Sequence, residues 1–128
     1  MDKIKAVSYC RVANADDWVM QRQSEVIERY AESEGFLITD CYCDNGKSGI
    51  TLDRPGFNSL MSDIRNGNVK FVIAKDASRI ARGYHLLNDL IDEVESYGVT
   101  LITVNDGNIG VMTKEMNAFL QAYLALSK

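Results

Sequence analysis

Proline and histidine each occur once in this chain and cysteine three times, and each scarcity excludes something. With one proline, and without repeats, low-complexity tracts or linkers, residues 1–128 read as a single domain. A lone histidine, His85, argues against a multi-histidine metal site or a conventional catalytic triad; it reads as a surface or half-buried side chain opening a helix. Three cysteines (Cys10, Cys41 and Cys43) are too few and odd in number for a disulfide framework, which fits a reducing cytoplasm. No apolar run approaches the roughly 18 residues of a membrane span. Met1-Asp2-Lys3-Ile4-Lys5 carries neither a secretory hydrophobic region nor a transit pattern. Positive charge is also short. Fourteen basic against eighteen acidic residues give −4, so contact with nucleic acid has to come from local charge placement. Phosphate loops of the G-x-x-x-x-G-K-[ST] type and a G-x-G-x-x-G after the first strand are missing too.

What is present is an ordinary globular composition, 46% hydrophobic and 25% charged, long enough to bury a core without staples. Four times a short β-type run leads into a helical or polar segment. Ile4 to Cys10 is the first strand, and Asp16 to Glu34 is a helix with Val19, Val26, Ile27, Tyr30 and Ala31 on one stripe and a stop at Gly35. Phe36 to Cys43 is the second strand, and Asp44 to Gly49 a polar turn. Pro55 opens a helix faced by Leu60, Met61 and Ile64; Val69 to Ala74 is the third strand. A helix from about Gly83 to Tyr97 turns Leu86, Leu87, Leu90, Ile91 and Val94 inward, and Val99 to Val104 is the fourth strand. The alternation predicts an α/β fold: a mostly parallel sheet of four to five strands with helices on both faces. The segment 112–128 is apolar around much of its circumference, and predicts either a buried helix or the start of a longer helix that packs on a partner chain.

Cys41 and Cys43 fall on one face of a strand, and Cys10 falls on a strand that can neighbour it. Zinc wants four ligands at C-x-x-C-like spacing, so buried thiols and no metal are expected. The arginines carry more. Four of the seven, Arg11, Arg54, Arg79 and Arg82, sit at strand ends or in loops, with Lys75 close by. In a parallel sheet those ends share one edge, where sites in open α/β folds collect. Guanidinium forks there suit a phosphodiester and the extra charge of phosphoryl transfer. Pairing with Asp44, Asp53 or Asp76 is the alternative, and spacing does not separate the two.

At these residues the chain resembles the serine site-specific recombinases, the resolvase, invertase and large integrase group. Tyr9-Cys10-Arg11-Val12-Ala13 is similar to that family's Y-x-R-V-S opening, and Gln23 to Ala31 to its Q-x-x-x-[IL]-x-x-Y-A helix. Asp44, Ser48-Gly49 and Asp53-Arg54-Pro55-Gly56-Phe57 resemble D-x-x-x-S-G…D-R-P-G-F, and Lys75 to Arg82 resembles K-D-x-S-R-[LF]-[GA]-R. The four stretches follow the family's order over residues 4–106, in forms closest to the large serine recombinases.

The resemblance implies a flavodoxin-like catalytic domain in which a serine attacks DNA and forms a 5′-phosphoserine link. It places Arg11, Arg79 and Arg82 on the scissile phosphate with Arg54 assisting. Gln23 and Asp44 organise the pocket, and Ser78 stands where small resolvases often carry Asp. It implies no metal or other cofactor, DNA as partner, and a homodimer or homotetramer through a helix beginning in 112–128. Target choice is expected from a DNA-reading region beyond residue 128.

One position departs: the nucleophile's place is held by Ala13. A methyl group cannot attack phosphorus, so covalent catalysis by this chain is expected to be abolished. Ser8 and Cys10 lie inside the strand, and the family gives Ser48 and Ser78 supporting roles. A serine-to-alanine change and a natural loss of cleavage both fit the intact arginine set. The rival readings are a non-catalytic DNA-binding or assembly module and a small-ligand phosphate-binding domain.

Overall fold

In the computed structural model, residues 2–48 and 51–110 are described, together with Ala122 and Leu126. Strands and helices follow as β1 (Ile4–Val12), α1 (Asp17–Glu34), β2 (Phe36–Asn45), α2 (Pro55–Arg65), β3 (Phe71–Ala74), α3 (Ala77–Ile80), α4 (Tyr84–Ser96), β4 (Thr100–Thr103) and β5 (Gly107–Asn108). The five strands form one sheet in the order β2-β1-β3-β4-β5. All pairs are parallel except β4–β5. The α/β expectation holds.

α1 starts where Asp16 accepts hydrogen bonds from the Trp18 and Val19 amides, each 3.1 Å, satisfying two of the free donors of a helix start. It stops at Gly35, whose φ of 82° is left-handed and open to glycine at little cost. Its Ile27 and Ala31 pack with Ala6, Cys10, Ile73 and Ile102 on one face of the sheet. Phe57, Leu60, Met61 and Ile64 of α2 and Leu90, Ile91 and Val94 of α4 pack on the other face, against Val7, Tyr9, Val72 and Leu101. Each such buried side chain stabilises the fold by about 1.5–3 kcal/mol, which fixes the helices on both faces and leaves the strand ends to form an edge.

Four features differ from the sequence expectation. β1 and β2 each run two residues further, because Arg11 pairs with Asp44 and Val12 with Asn45, and the Gly46 and Lys47 amides then donate to the Val12 carbonyl at 2.7 and 3.1 Å. Asp44 is therefore a strand residue, not a turn residue. α3 and β5 span four and two residues, too few to show a period.

β2 also carries a bulge. Ala6 pairs with Ile38 but Val7 pairs with Asp40, which leaves Thr39 as the extra residue. Finally, Cys41 and Cys43 are exposed, not buried, because β2 is an edge strand; only Cys10 is buried. The expected helix over 112–128 lies outside the described residues, apart from Ala122 and Leu126, which are helical and exposed. Among the described residues no helix is long and apolar enough to cross a membrane.

Candidate active site

The C-terminal ends of β2, β1 and β3 lie side by side in the sheet. Alternation along β1 turns Tyr9 and Arg11 to the α2 side. The bulge at Thr39 does the same for Tyr42 and Asp44, since residues paired across parallel strands share a face. Asp44 is thereby buried, 3% exposed, beneath the start of α2. Its Oδ1 accepts from the Gly56 amide at 2.8 Å, and its Oδ2 from the Phe57 amide at 2.9 Å and the Tyr9 hydroxyl at 2.6 Å. It caps α2 from a neighbouring strand, where the helix's own N-cap residue, Arg54, makes no side-chain cap.

The approach is close enough to require glycine. A Cβ at Gly56 would lie 2.4 Å from the Cys43 carbonyl oxygen and 3.0 Å from Asp44 Oδ2. The Tyr9 hydroxyl accepts in turn from Arg54 Nη1 at 2.6 Å. Burial, then the bond to Asp44, raises the phenol above its ordinary range, while Arg54 opposes the rise, so Tyr9 stays a proton donor to the carboxylate.

Arg54 is fully buried. It donates to the Thr51 carbonyl at 2.8 Å, to the Arg79 carbonyl at 3.3 Å and to the Ile80 carbonyl, and its guanidinium carbon lies 5.0 Å from the Phe57 ring centre. Arg11, 3% exposed, donates to the carbonyls of Arg79 at 3.1 Å, Lys47 at 2.9 Å and Ser78 at 2.6 Å. Two buried guanidiniums thus converge on one backbone oxygen, that of Arg79, and pin the loop after β3 against β1 and α2.

Among the described residues, the expected alternative of arginine–carboxylate pairs is realised for these four arginines at Arg79 alone, whose Nε lies 3.7 Å from Asp76. Burial, together with the charges of Arg54, Arg79 and Arg82, lowers Arg11 from its ordinary value, with Tyr9 acting the other way. Positive charge is concentrated here and incompletely answered. Arg79 Nε is itself buried without a hydrogen-bond partner, while Arg79 Nη1 reaches the Arg11 carbonyl at 3.3 Å.

Gln23 on α1 grips the Arg11 backbone from both sides. Its Nε2 donates to the Arg11 carbonyl at 2.8 Å and its Oε1 accepts from the Arg11 amide at 3.2 Å. Directly beyond, Ala13 is exposed, in a loop whose far end is held where the Asp16 amide donates to Asn45 Oδ1 at 2.9 Å. Arg82 is exposed and has no carboxylate partner among the described residues. Ser78 is exposed and donates to Asp76 Oδ1 at 2.6 Å. Ser8 and Cys10 are buried in β1, Ser8 at 2% exposure and Cys10 at 0%, on the face opposite Arg11.

The structure therefore brings Arg11, Gln23, Asp44, Arg54, Ser78 and Arg79 into one bonded network, with Ala13 and Arg82 at its open rim. Sequence reasoning did not assign a role to Tyr9, which joins Asp44 to Arg54, or to the carbonyls of residues 78–80. The signal for Tyr9 was available: a polar aromatic two residues before Arg11, on the same face of β1. Among the described residues no three His, Cys, Asp or Glu side chains meet at this edge. Guanidiniums gathered in this way can hold an anion.

The profile described as "Resolvase, N terminal domain" matches residues 6–128. The structure is similar to that of the N-terminal catalytic domain of TP901-1 integrase, with a TM-score of 0.81 and 24% identity, covering 97% of this chain and 99% of that one. A resolvase family site-specific recombinase from Streptococcus pneumoniae superposes with a TM-score of 0.74 at 27% identity, over 98% of this chain and 93% of that one. A Bacillus subtilis (strain 168) protein named "Putative DNA recombinase" is 41% identical over 66 residues, which is 50% of this chain and 13% of that protein's length. The chain belongs to the resolvase N-terminal domain family.

Proposed function

We propose that this domain holds a DNA phosphodiester at its arginine edge and forms the catalytic framework of a serine recombinase, with Ala13 in the nucleophile's place. In the complete reaction a serine Oγ bonds to phosphorus, the 3′ oxygen leaves and takes a proton, and the strand stays linked as a 5′-phosphoserine. Rejoining reverses each bond change. The developing charge on the non-bridging oxygens is met by fixed guanidinium donors, which need no reorganisation at the moment of reaction. Arg79 and Arg82, the less enclosed pair, reach the phosphate first, and Arg11 backs them with the donors its carbonyl partners leave over. Arg54, fully buried and bonded through all three nitrogens, acts by holding the loop that carries Arg79. Gln23 and Asp44 set the ends of β1 and α2, and Ser78 steadies Asp76.

One observation carries the reading. Arg79 Nε is buried without a hydrogen-bond partner, with the Asp76 carboxylate 3.7 Å away, and its residue stands among the guanidiniums of Arg11 and Arg54. An unpaired buried donor costs about 1–3 kcal/mol, which a bound phosphate oxygen removes. DNA choice and assembly into dimers or tetramers then fall to sequence recognition elsewhere and to the segment 112–128.

Ala13 favours a second reading, a pseudo-recombinase that binds DNA or assembles with active copies without cutting. The first reading requires DNA at the arginine edge, whereas a module that only assembles with active copies does not. Duplex binding measured by fluorescence anisotropy across a salt series tests the first reading. Weak binding with steep salt dependence is expected, and Arg82→Ala reduces the salt slope by about 1. An unchanged slope in both Arg82→Ala and Arg79→Ala removes the phosphate from this edge.

A further inference from the structure

On the other face of the sheet, the same bulge that delivers Asp44 to the arginine edge gathers the cysteines. Register pairs Cys10 with Cys43 and Ser8 with Cys41, and all turn toward α1. The three Sγ atoms lie within 4.8 Å of one another, and those of Cys41 and Cys43 are 3.3 Å apart. Cys10 forms a buried floor while Cys41 and Cys43 open to solvent at the sheet edge, so a small solute has a route in. Among the described residues this is the one group of three or more His, Cys, Asp or Glu side chains placed to share an ion.

We propose that Cys10, Cys41 and Cys43 form a three-thiolate site for a soft monovalent cation of the copper(I) class. Three thiolates around an ion with metal–sulfur bonds of about 2.3 Å stand about 4.0 Å apart in a trigonal plane. The observed triangle reaches that size by changes of under about 1 Å at each edge, within the range of small χ1 adjustments. An all-sulfur donor set selects soft ions over magnesium, calcium or manganese. Zinc completes a tetrahedron, and among the described residues the cluster offers no fourth His, Cys, Asp or Glu ligand, so three-coordinate copper(I) fits better.

Each thiol that binds the ion gives up its proton to solvent. The ion cross-links β1 and β2 one residue before Arg11 and Asp44, and so braces the two strands that carry the arginine edge.

The reduced full chain is titrated anaerobically with copper(I) against a chromophoric copper(I) chelator, with X-ray absorption on the loaded protein. One copper per chain with three sulfur ligands is expected. Cys41→Ser and Cys43→Ser, both at exposed positions where folding is retained, each weaken binding by more than about 100-fold, beyond the loss of a second-sphere partner. Copper binding no tighter than in the Cys41→Ser/Cys43→Ser double variant overturns the proposal. So does a reduced protein that binds no copper and, when oxidised, shows only a Cys41–Cys43 disulfide by mass spectrometry. The result is independent of DNA binding, so it stands or falls apart from the function proposed above.

Discussion

Tyr9 and Asp44, 35 residues apart, meet through a 2.6 Å hydrogen bond that is buried on every side. The bond joins β1 to β2 and, through Asp44's two amide partners, to the start of α2. Asp44→Asn replaces a side chain that accepts three hydrogen bonds with an amide that matches at most part of them. Unfolding in urea is expected to show a loss of about 2–4 kcal/mol. A change below about 0.5 kcal/mol contradicts the assignment of Asp44 as the cap of α2.

The arginines divide into two kinds, and stability separates them. Arg54→Met leaves the Tyr9 hydroxyl and three carbonyls without their shared donor and is expected to cost about 3–5 kcal/mol. Arg82→Ala touches no buried partner and is expected to stay within about 0.5 kcal/mol. Denaturation of the two variants side by side checks this. Equal losses contradict the division into a buried brace and an exposed arginine.

Gly56→Ala tests how tightly α2 is pressed on β2. The new methyl meets backbone, not a flexible side-chain end, so the helix start has to move away from Cys43 and Asp44. A loss of about 1–3 kcal/mol is expected, the range of overpacking in a close-packed site. Stability equal to the parent's contradicts the close approach.

Cys41 gives a pH signature. A thiol near 5 is already ionised at pH 6, so the pH profile of alkylation by iodoacetamide at this residue has its midpoint near 5, followed by peptide mass spectrometry. A midpoint near the ordinary value of about 8.5 contradicts it. The linkage sign follows. Cys41's lowered value contributes stability that is complete above about 8.5 and fades as pH falls through about 5. Cys43, raised to about 12, contributes stability that is complete below about 8.5 and fades as pH rises toward 12.

Most of the fold was legible because its strands and helices are long enough to show a period. The arginines were legible because loop positions after parallel strands share an edge. Thr39 was not. Nothing in the run Phe36-Leu37-Ile38-Thr39-Asp40 marks one residue as extra, yet that residue decides the face of everything after it. Without it, Cys43 pairs with Arg11, and Asp44 no longer shares a face with Tyr9. The reading of the cysteines as buried thiols held for Cys10 and failed for Cys41 and Cys43, because nothing in the sequence marks β2 as an edge strand. α3 escaped because a single turn capped by Asp76 has no periodicity to detect.

The central claim is that this domain is a complete phosphoryl-transfer framework except for the missing hydroxyl at position 13. Ala13→Ser, in the chain joined to a sequence-reading DNA-binding module, is incubated with a nicked target duplex that traps cleavage. Denaturing electrophoresis and mass spectrometry then look for a covalent adduct. The expected result is a 5′-phosphoserine at residue 13 that is lost again on Arg79→Ala. No adduct from a folded, DNA-bound Ala13→Ser protein would contradict the account and leave the pseudo-recombinase as the reading of this chain.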